Sequence, residues 1–242
     1  MGFRDFISRL FHKSLFDDKW TCTACGREIF NDEYFCDECR NDLPFNDKYI
    51  CDHCGRATLS PEQYCLTCKE KLLSIDKARS VFIYQGVIKS LIKKMKKAEN
   101  AYLSEVFSYY LSAVYFRNVF TADVVVYVPM TKKRERKNGH NHGKRLATSF
   151  ASRVNLPVLN VIDKVKETKK QALLSAKERR DNLKSSFKIN DKKAIKDKSV
   201  VIVDDVTTTG STAEVLSELL KKAGAKSVIL LTVASVKSKT GI

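Results

Sequence analysis

Beyond Cys68 this 242-residue chain contains no cysteine, and nowhere does it contain an apolar run near the ~18 residues of a membrane-crossing helix. The first lack confines thiol chemistry to the opening part of the chain, and the second excludes a transmembrane helix. The N-terminal stretch MGFRDFISRLFHKSLF lacks the unbroken apolar centre of a secretory signal, because Arg4, Asp5, Arg9 and Lys13 interrupt it. A cytoplasmic location without stable membrane insertion is the expectation. Acidic charge is also short over most of the chain. Residues 79–242 carry 33 Lys/Arg against 14 Asp/Glu, whereas residues 1–78 carry 11 against 14. The basic field therefore belongs to the C-terminal part, where it attracts phosphates or a nucleic-acid backbone or simply forms a solvated surface.

The cysteines that do occur are eight, in four CxxC pairs: Cys22 and Cys25, Cys36 and Cys39, Cys51 and Cys54, Cys65 and Cys68. Two-residue spacing lets both thiolates of one turn reach a single tetrahedral metal, and two such turns complete a Cys₄ zinc site. A disulfide framework fits poorly in a reducing compartment. The segment is an internal repeat: CTACGREIFNDEYFCDEC (22–39) aligns without gaps to CDHCGRATLSPEQYCLTC (51–68). Repetition favours sequential pairing over a cross-brace, so one zinc takes Cys22, Cys25, Cys36 and Cys39 and the other takes Cys51, Cys54, Cys65 and Cys68. Four sulfur ligands close each site, which makes both ions structural. His53, inside a CxxC, is expected beside the site rather than in it.

The most informative run is VVIVDDVTTTGST at 200–212. Four apolar β-formers read as a buried parallel strand. Two carboxylates, Asp204 and Asp205, follow at its tip, where open α/β sheets bind ligands. Thr207, Thr208, Thr209, Gly210, Ser211 and Thr212 then lie over the start of a helix, whose free N–H groups and dipole favour a phosphate. Helix capping by Thr209 or Ser211 would explain neither the double acid nor the glycine. Carboxylates beside a phosphate cradle suit a ligand with both hydroxyls and phosphate, such as a ribose phosphate. The run is not a Walker A loop, since no Gly-Lys-Ser/Thr follows a first glycine.

Around this run the chain alternates strand and helix. Strands are expected at 80–84, 124–128, 158–162, 200–203 and 227–233, and helices at 86–97, 102–116, 143–154 and 212–223. The alternation predicts an α/β fold, a parallel sheet with helices on both faces. The strand at 124–128 opens into a loop with Lys132, Lys133, Arg134, Arg136 and Lys137. Such a cluster suits a diphosphate, with a solvated loop or nucleic-acid contact as the other readings. Three parts are expected: an amphipathic segment at 1–19, a double zinc ribbon at 20–78, and the α/β domain at 79–242. Within the last, 163–198 forms a long insertion, either a lid or a helical cover for the sheet. In the first segment Phe3, Phe6, Ile7, Leu10 and Phe11 share one helical face. That face is expected to pack on the body or on a partner, with a membrane surface as the alternative.

The run at 200–212 resembles the 5-phosphoribosyl 1-diphosphate (PRPP) signature of type I phosphoribosyltransferases. The resemblance implies that Asp204 and Asp205 hold the ribose hydroxyls and that residues 207–212 bind the 5′-phosphate. It also implies that the basic stretch after 124–128 takes the diphosphate, through Lys132 and Arg134, with Lys96 as a third candidate. Cys₄ ribbons ahead of such a domain resemble the ComF (ComFC-like) competence family. Tyr84, Gly86 and Lys96 match its first block, and Gly139 and Asn141 match its second. Gln171, Leu174, Arg179, Asn182 and Phe187 match its third, in the insertion that the resemblance makes a hood over PRPP. The chain departs from the second block with Asn138, His140 and His142 in place of Arg, Phe and Gln.

The resemblance implies a PRPP-binding phosphoribosyltransferase-fold protein with two zinc ions and with Mg²⁺ on PRPP. It implies action in natural transformation on incoming single-stranded DNA, with competence proteins such as a DNA helicase as partners. The alternative is an active Mg²⁺-dependent phosphoribosyltransferase on another acceptor. Purine-salvage relatives place a basic aspartate where Thr208 stands, so purine salvage is not expected. The remaining candidates for proton transfer are His140 and His142.

Overall fold

The computed structural model describes residues 21–29, 33–166 and 182–238. The amphipathic segment at 1–19 and the middle of the insertion, with Gln171, Leu174 and Arg179, lie outside the described residues.

The sheet consists of β1 (Lys77–Ile83), β2 (Val124–Tyr127), β5 (Ser199–Thr207) and β6 (Ser227–Ser235), in the order β1-β6-β5-β2. All three pairings are parallel. The valine-rich strands pair here because both of their faces are covered. Along β5, Val201 and Val203 enter one core, while Val200 and Ile202 enter the other. The first core lies under helices α3 (Gly86–Met95), α4 (Leu103–Arg117) and α6 (His142–Val154), and the second under α7 (Ser211–Lys222). An antiparallel hairpin of β3 (Ile162–Lys164) and β4 (Phe187–Ile189) forms the base of the insertion.

Three expectations need correction. The strand at 158–162 is reduced to one parallel bridge, Val158 beside Val125, because Ile162 already belongs to the hairpin. The basic stretch after β2 is not a loop but a short helix, α5 (Lys132–Asn138). Thr131 caps it by accepting the Arg134 N–H, and Gly139 ends it in the left-handed region at φ 71°. The motif strand continues past its valines to Thr207, because β6 pairs with it to the end.

The ribbons repeat in space as in sequence. Each has an antiparallel bridge, Thr21 with Glu28 and Ile50 with Ala57, and a one-turn helix, α1 (Asp37–Asn41) or α2 (Leu66–Glu70). They do not stand apart from the sheet. Phe35, Cys22 and Cys36 share the first core with Tyr110 and Phe82. That explains α4, in which twelve of fifteen residues are buried, the Ser104, Ser108 and Ser112 stripe among them. The sheet covers one side of the helix, and Tyr34, Phe35 and Phe45 pack on Tyr109 and Tyr110 at ring distances of 5.4–6.0 Å on the other. The chain after the first ribbon also pairs with the free edge of β1. The Asn46 N–H donates to Val81 and the Ile83 N–H to Pro44.

Candidate functional site

The last pair between β2 and β5 is Tyr127 with Val203. From Asp204 to Thr207, β5 runs on without β2, and the gap opens a crevice at the carboxyl end of the sheet. Asp204 Oδ1 accepts the Asp205 N–H and Asp205 Oδ1 accepts the Val206 N–H, both at 2.8 Å. Lys96, at the end of α3, places Nζ 2.5 Å from Asp205 Oδ2. His142, the first residue of α6, places Nε2 3.7 Å from the same oxygen. The position of His142 follows from local rules: Asn141 caps α6 by accepting the Lys144 N–H at 3.0 Å. Next to it, Gly143 passes so close to the Val128 carbonyl oxygen that a Cβ there would lie at 3.1 Å.

Burial, and then the charge of Asp205, push the Asp204 carboxyl well above its ordinary range. Burial pushes the His142 imidazole down to about 4, with Lys96, His140 and Arg134 acting in the same direction and Asp205 against it. His142 is thus neutral at pH 7. Its Nδ1, the Nε2 of His140 and one terminal nitrogen of Arg145 are buried without a hydrogen-bond partner among the described residues. An unsatisfied ring nitrogen on His142, whose Nε2 stands 3.7 Å from Asp205, is a mark of a site built for a polar ligand.

The hydroxyl residues form their own cleft of about 40 Å³, lined by Asp204 and residues 206–213. Gly210, at φ 80°, is the N-cap of α7 and offers no side-chain cap to the first-turn N–H groups. Thr209 Oγ1 accepts the Ser211 N–H at 3.3 Å and shares a hydrogen bond with Ser211 Oγ at 2.8 Å. Lys132 lies elsewhere, on the wall of a cavity of about 600 Å³ with Lys133, Lys144, Tyr127 and Asn160. Arg134 is exposed on α5. The structure therefore gathers Asp204, Asp205 and residues 207–212, and brings in Lys96 and His142 more closely than the sequence pattern suggested. Lys132 is in a neighbouring cavity. Arg145 escaped the sequence reading: it is half-buried near the start of α6, and the enclosure of one of its terminal nitrogens is a tertiary property without a local signal.

The two cysteine groups are Cys22, Cys25, Cys36, Cys39 and Cys51, Cys54, Cys65, Cys68, each with all four sulfurs within 4.8 Å of one another. The Sγ separations are 3.9 Å for Cys25 and Cys36 and 3.6 Å for Cys54 and Cys65. A disulfide requires about 2.05 Å, whereas sulfurs ~2.3 Å from a tetrahedral zinc stand roughly 3.8 Å apart. The groups fit two zinc ions with sequential pairing. His53 stays outside the ligand set and hydrogen-bonds the Leu73 carbonyl oxygen at 3.1 Å.

Residues 140–241 match the model of the phosphoribosyl transferase domain family, and residues 13–69 match that of the double zinc ribbon domain. The chain joins a double zinc ribbon to a phosphoribosyltransferase domain. That is the pairing the ComF-like resemblance implied. The phosphoribosyltransferase domain carries the crevice, and the ribbons pack beside it. Competence protein F of Haemophilus influenzae is 36% identical over 108 residues, 44% of this chain and 47% of that protein. DNA utilization protein YhgH of Escherichia coli strain K12 is 32% identical over 107 residues, 44% of this chain and 46% of that protein. The chain thus matches over about half the length of these curated relatives. A purine phosphoribosyltransferase structure from Pyrococcus horikoshii Ot3 aligns at 24% identity and TM-score 0.37, covering 58% of this chain and 78% of that one. Among the described residues, no helix is long and apolar enough to cross a membrane.

Proposed function

We propose that the phosphoribosyltransferase domain binds PRPP with Mg²⁺ and that the chain acts on single-stranded DNA during natural transformation. One observation carries the PRPP reading: two adjacent carboxylates on the end of β5, where β2 no longer runs alongside, lead directly into the hydroxyl loop at the start of α7. In this reading Asp204 and Asp205 accept hydrogen bonds from the ribose hydroxyls. Residues 207–212 donate N–H and O–H groups to the 5′-phosphate. Lys96 exchanges its partner Asp205 for a diphosphate oxygen, and Lys132 and Arg134 take the outer phosphate from α5. Mg²⁺ on the diphosphate and the ribose hydroxyls would neutralise leaving-group charge. His142 is neutral and close to Asp205, so its ring can hydrogen-bond near the ribose, while burial makes it a weak base. Turnover would displace pyrophosphate at the anomeric carbon.

The DNA reading draws support from the names of the relatives and from the charge of residues 79–242, 33 basic against 14 acidic. Affinity of that kind is independent of sequence and falls steeply with salt. Calorimetry with PRPP and Mg²⁺ tests the first half. Wild type is expected to bind, and Asp204→Asn combined with Asp205→Asn is expected to abolish binding while single-stranded DNA is still retained at low salt. No heat from wild type would refute the PRPP reading. Equal loss of PRPP and DNA in the folded variant would merge two sites that are held here to be separate.

A further inference from the structure

The two copies of the repeat have different surroundings. In the first, Gly26 faces open space, and Arg27 is exposed and paired with Glu38 at 2.8 Å. In the second, a Cβ on Gly55 would lie 2.4 Å from the Ala78 carbonyl oxygen, so only glycine lets this turn seat against β1. Arg56, the counterpart of Arg27, is 6% exposed. Its Nε donates to Cys54 Sγ at 3.4 Å and Nη2 to Cys65 Sγ at 3.8 Å. Its Nη1 reaches the Thr208 carbonyl oxygen at 3.5 Å. A single side chain thus spans from the second four-cysteine group to the hydroxyl loop. A planar guanidinium, with five donors in a fixed fork, can serve both ends at once.

Other contacts close the same seam. Leu73 Cδ1 stands 3.1 Å from where Gly210 would carry a Cβ. His53 holds the Leu73 carbonyl oxygen. The Ser74 N–H and hydroxyl both donate to the Glu214 carboxylate on α7, the hydroxyl at 3.1 Å. The geometry has a consequence for the loop. In a trans peptide the C=O and the following N–H point in opposite directions. The Thr208 carbonyl turned toward Arg56 therefore turns the Thr209 N–H away from the ribbon.

We propose that Arg56 is a positioning residue that ties the second four-cysteine site to the Thr208–Thr209 peptide and so holds the loop in its phosphate-receiving conformation, an inference that rests on the phosphate reading of that loop given above. The first ribbon has no such role, and Arg27 is its internal control.

The test uses the full chain as wild type, Arg56→Gln, Arg56→Lys and Arg27→Gln. Zinc content, amide hydrogen exchange over 207–211 and calorimetry with PRPP and Mg²⁺ are measured on each. Both Arg56 variants are expected to keep two zinc ions, to exchange faster at 207–211, and to bind PRPP about ten-fold more weakly, the scale of one lost charge-assisted hydrogen bond. Arg27→Gln is expected to match wild type throughout. Unchanged loop exchange in zinc-loaded Arg56→Gln would overturn the proposal. Loss of zinc from both Arg56 variants would also overturn it, by making Arg56 a support of the metal site alone. Faster exchange with no PRPP binding by any protein, wild type included, would refute the phosphate reading and leave the bridge standing.

Discussion

His142 opens α6 beside Asp205 with a ring that burial keeps neutral, its pKa pushed from 6.5 down to about 4. An unfolded chain would protonate this histidine near 6.5, so between 6.5 and about 4 the unfolded state binds the extra proton. Stability should therefore fall as pH drops through that window, by about 3 kcal/mol in full. Denaturant titrations of wild type and His142→Gln between pH 4 and 7 check this: the two are expected to diverge only below about 6.5, with the variant less acid-sensitive. Parallel curves would mean that the ring titrates normally. The chemistry of this site was legible in part. Asp204 and Asp205 announce themselves because paired acids after a valine run have no structural explanation. Lys96 and His142 were candidates in the sequence, but their approach to Asp205 was not readable, since 109 and 63 residues of chain separate them from it and only the sheet brings them together.

Gly210 belongs to the scale of the element, since it joins β5 to α7 at φ 80°. A side chain there costs about 1–2 kcal/mol of left-handed strain, and its Cβ would also press on Leu73 Cδ1 at 3.1 Å. Gly139, at φ 71°, has nothing within 4 Å of the same added atom. Gly210→Ala is therefore expected to lower stability more than Gly139→Ala, and to weaken PRPP binding, as chemical denaturation and calorimetry would record. Equal losses would show that the Leu73 contact is slack. The elements themselves were mostly readable. The continuous burial of the Val-rich strands and the helix after the motif follow from local pattern. The seven residues of α5 did not, because a run of like charges reads as a loop. Thr131 as cap and Gly139 as stop were the overlooked signals, and they outweigh the repulsion. The length of β5 was hidden for another reason: its last residues are strand only because β6 lies alongside.

At the scale of the whole molecule, the ribbons and the sheet share one core on the α4 side. Composition separated them cleanly, −3 against +19 in formal charge, yet charge reports surfaces and says nothing about shared interiors. Two zinc ions per chain are expected by metal analysis. Because Cys22, Cys36 and Phe35 pack with Phe82 and Tyr110, stripping the metal should weaken the sheet as well as the ribbons. Calorimetric scans before and after chelation are expected to show one transition, lowered by roughly 10 °C. Two transitions, with the upper one unmoved by chelation, would contradict a common core.

The strand order has a consequence for the newborn chain. β6, the last of the four sheet strands in chain order, sits between β1 and β5. During translation β1 has its edge pairing with 44–46 available early, but its other neighbour does not exist until residues 227–235 have emerged. Until then β5 can pair only with β2, and the acids at its tip have no frame. Most of the sheet's pairing energy thus arrives in one late event of high sequence separation, which makes closure slow and leaves two apolar strand edges open to other chains in the interval.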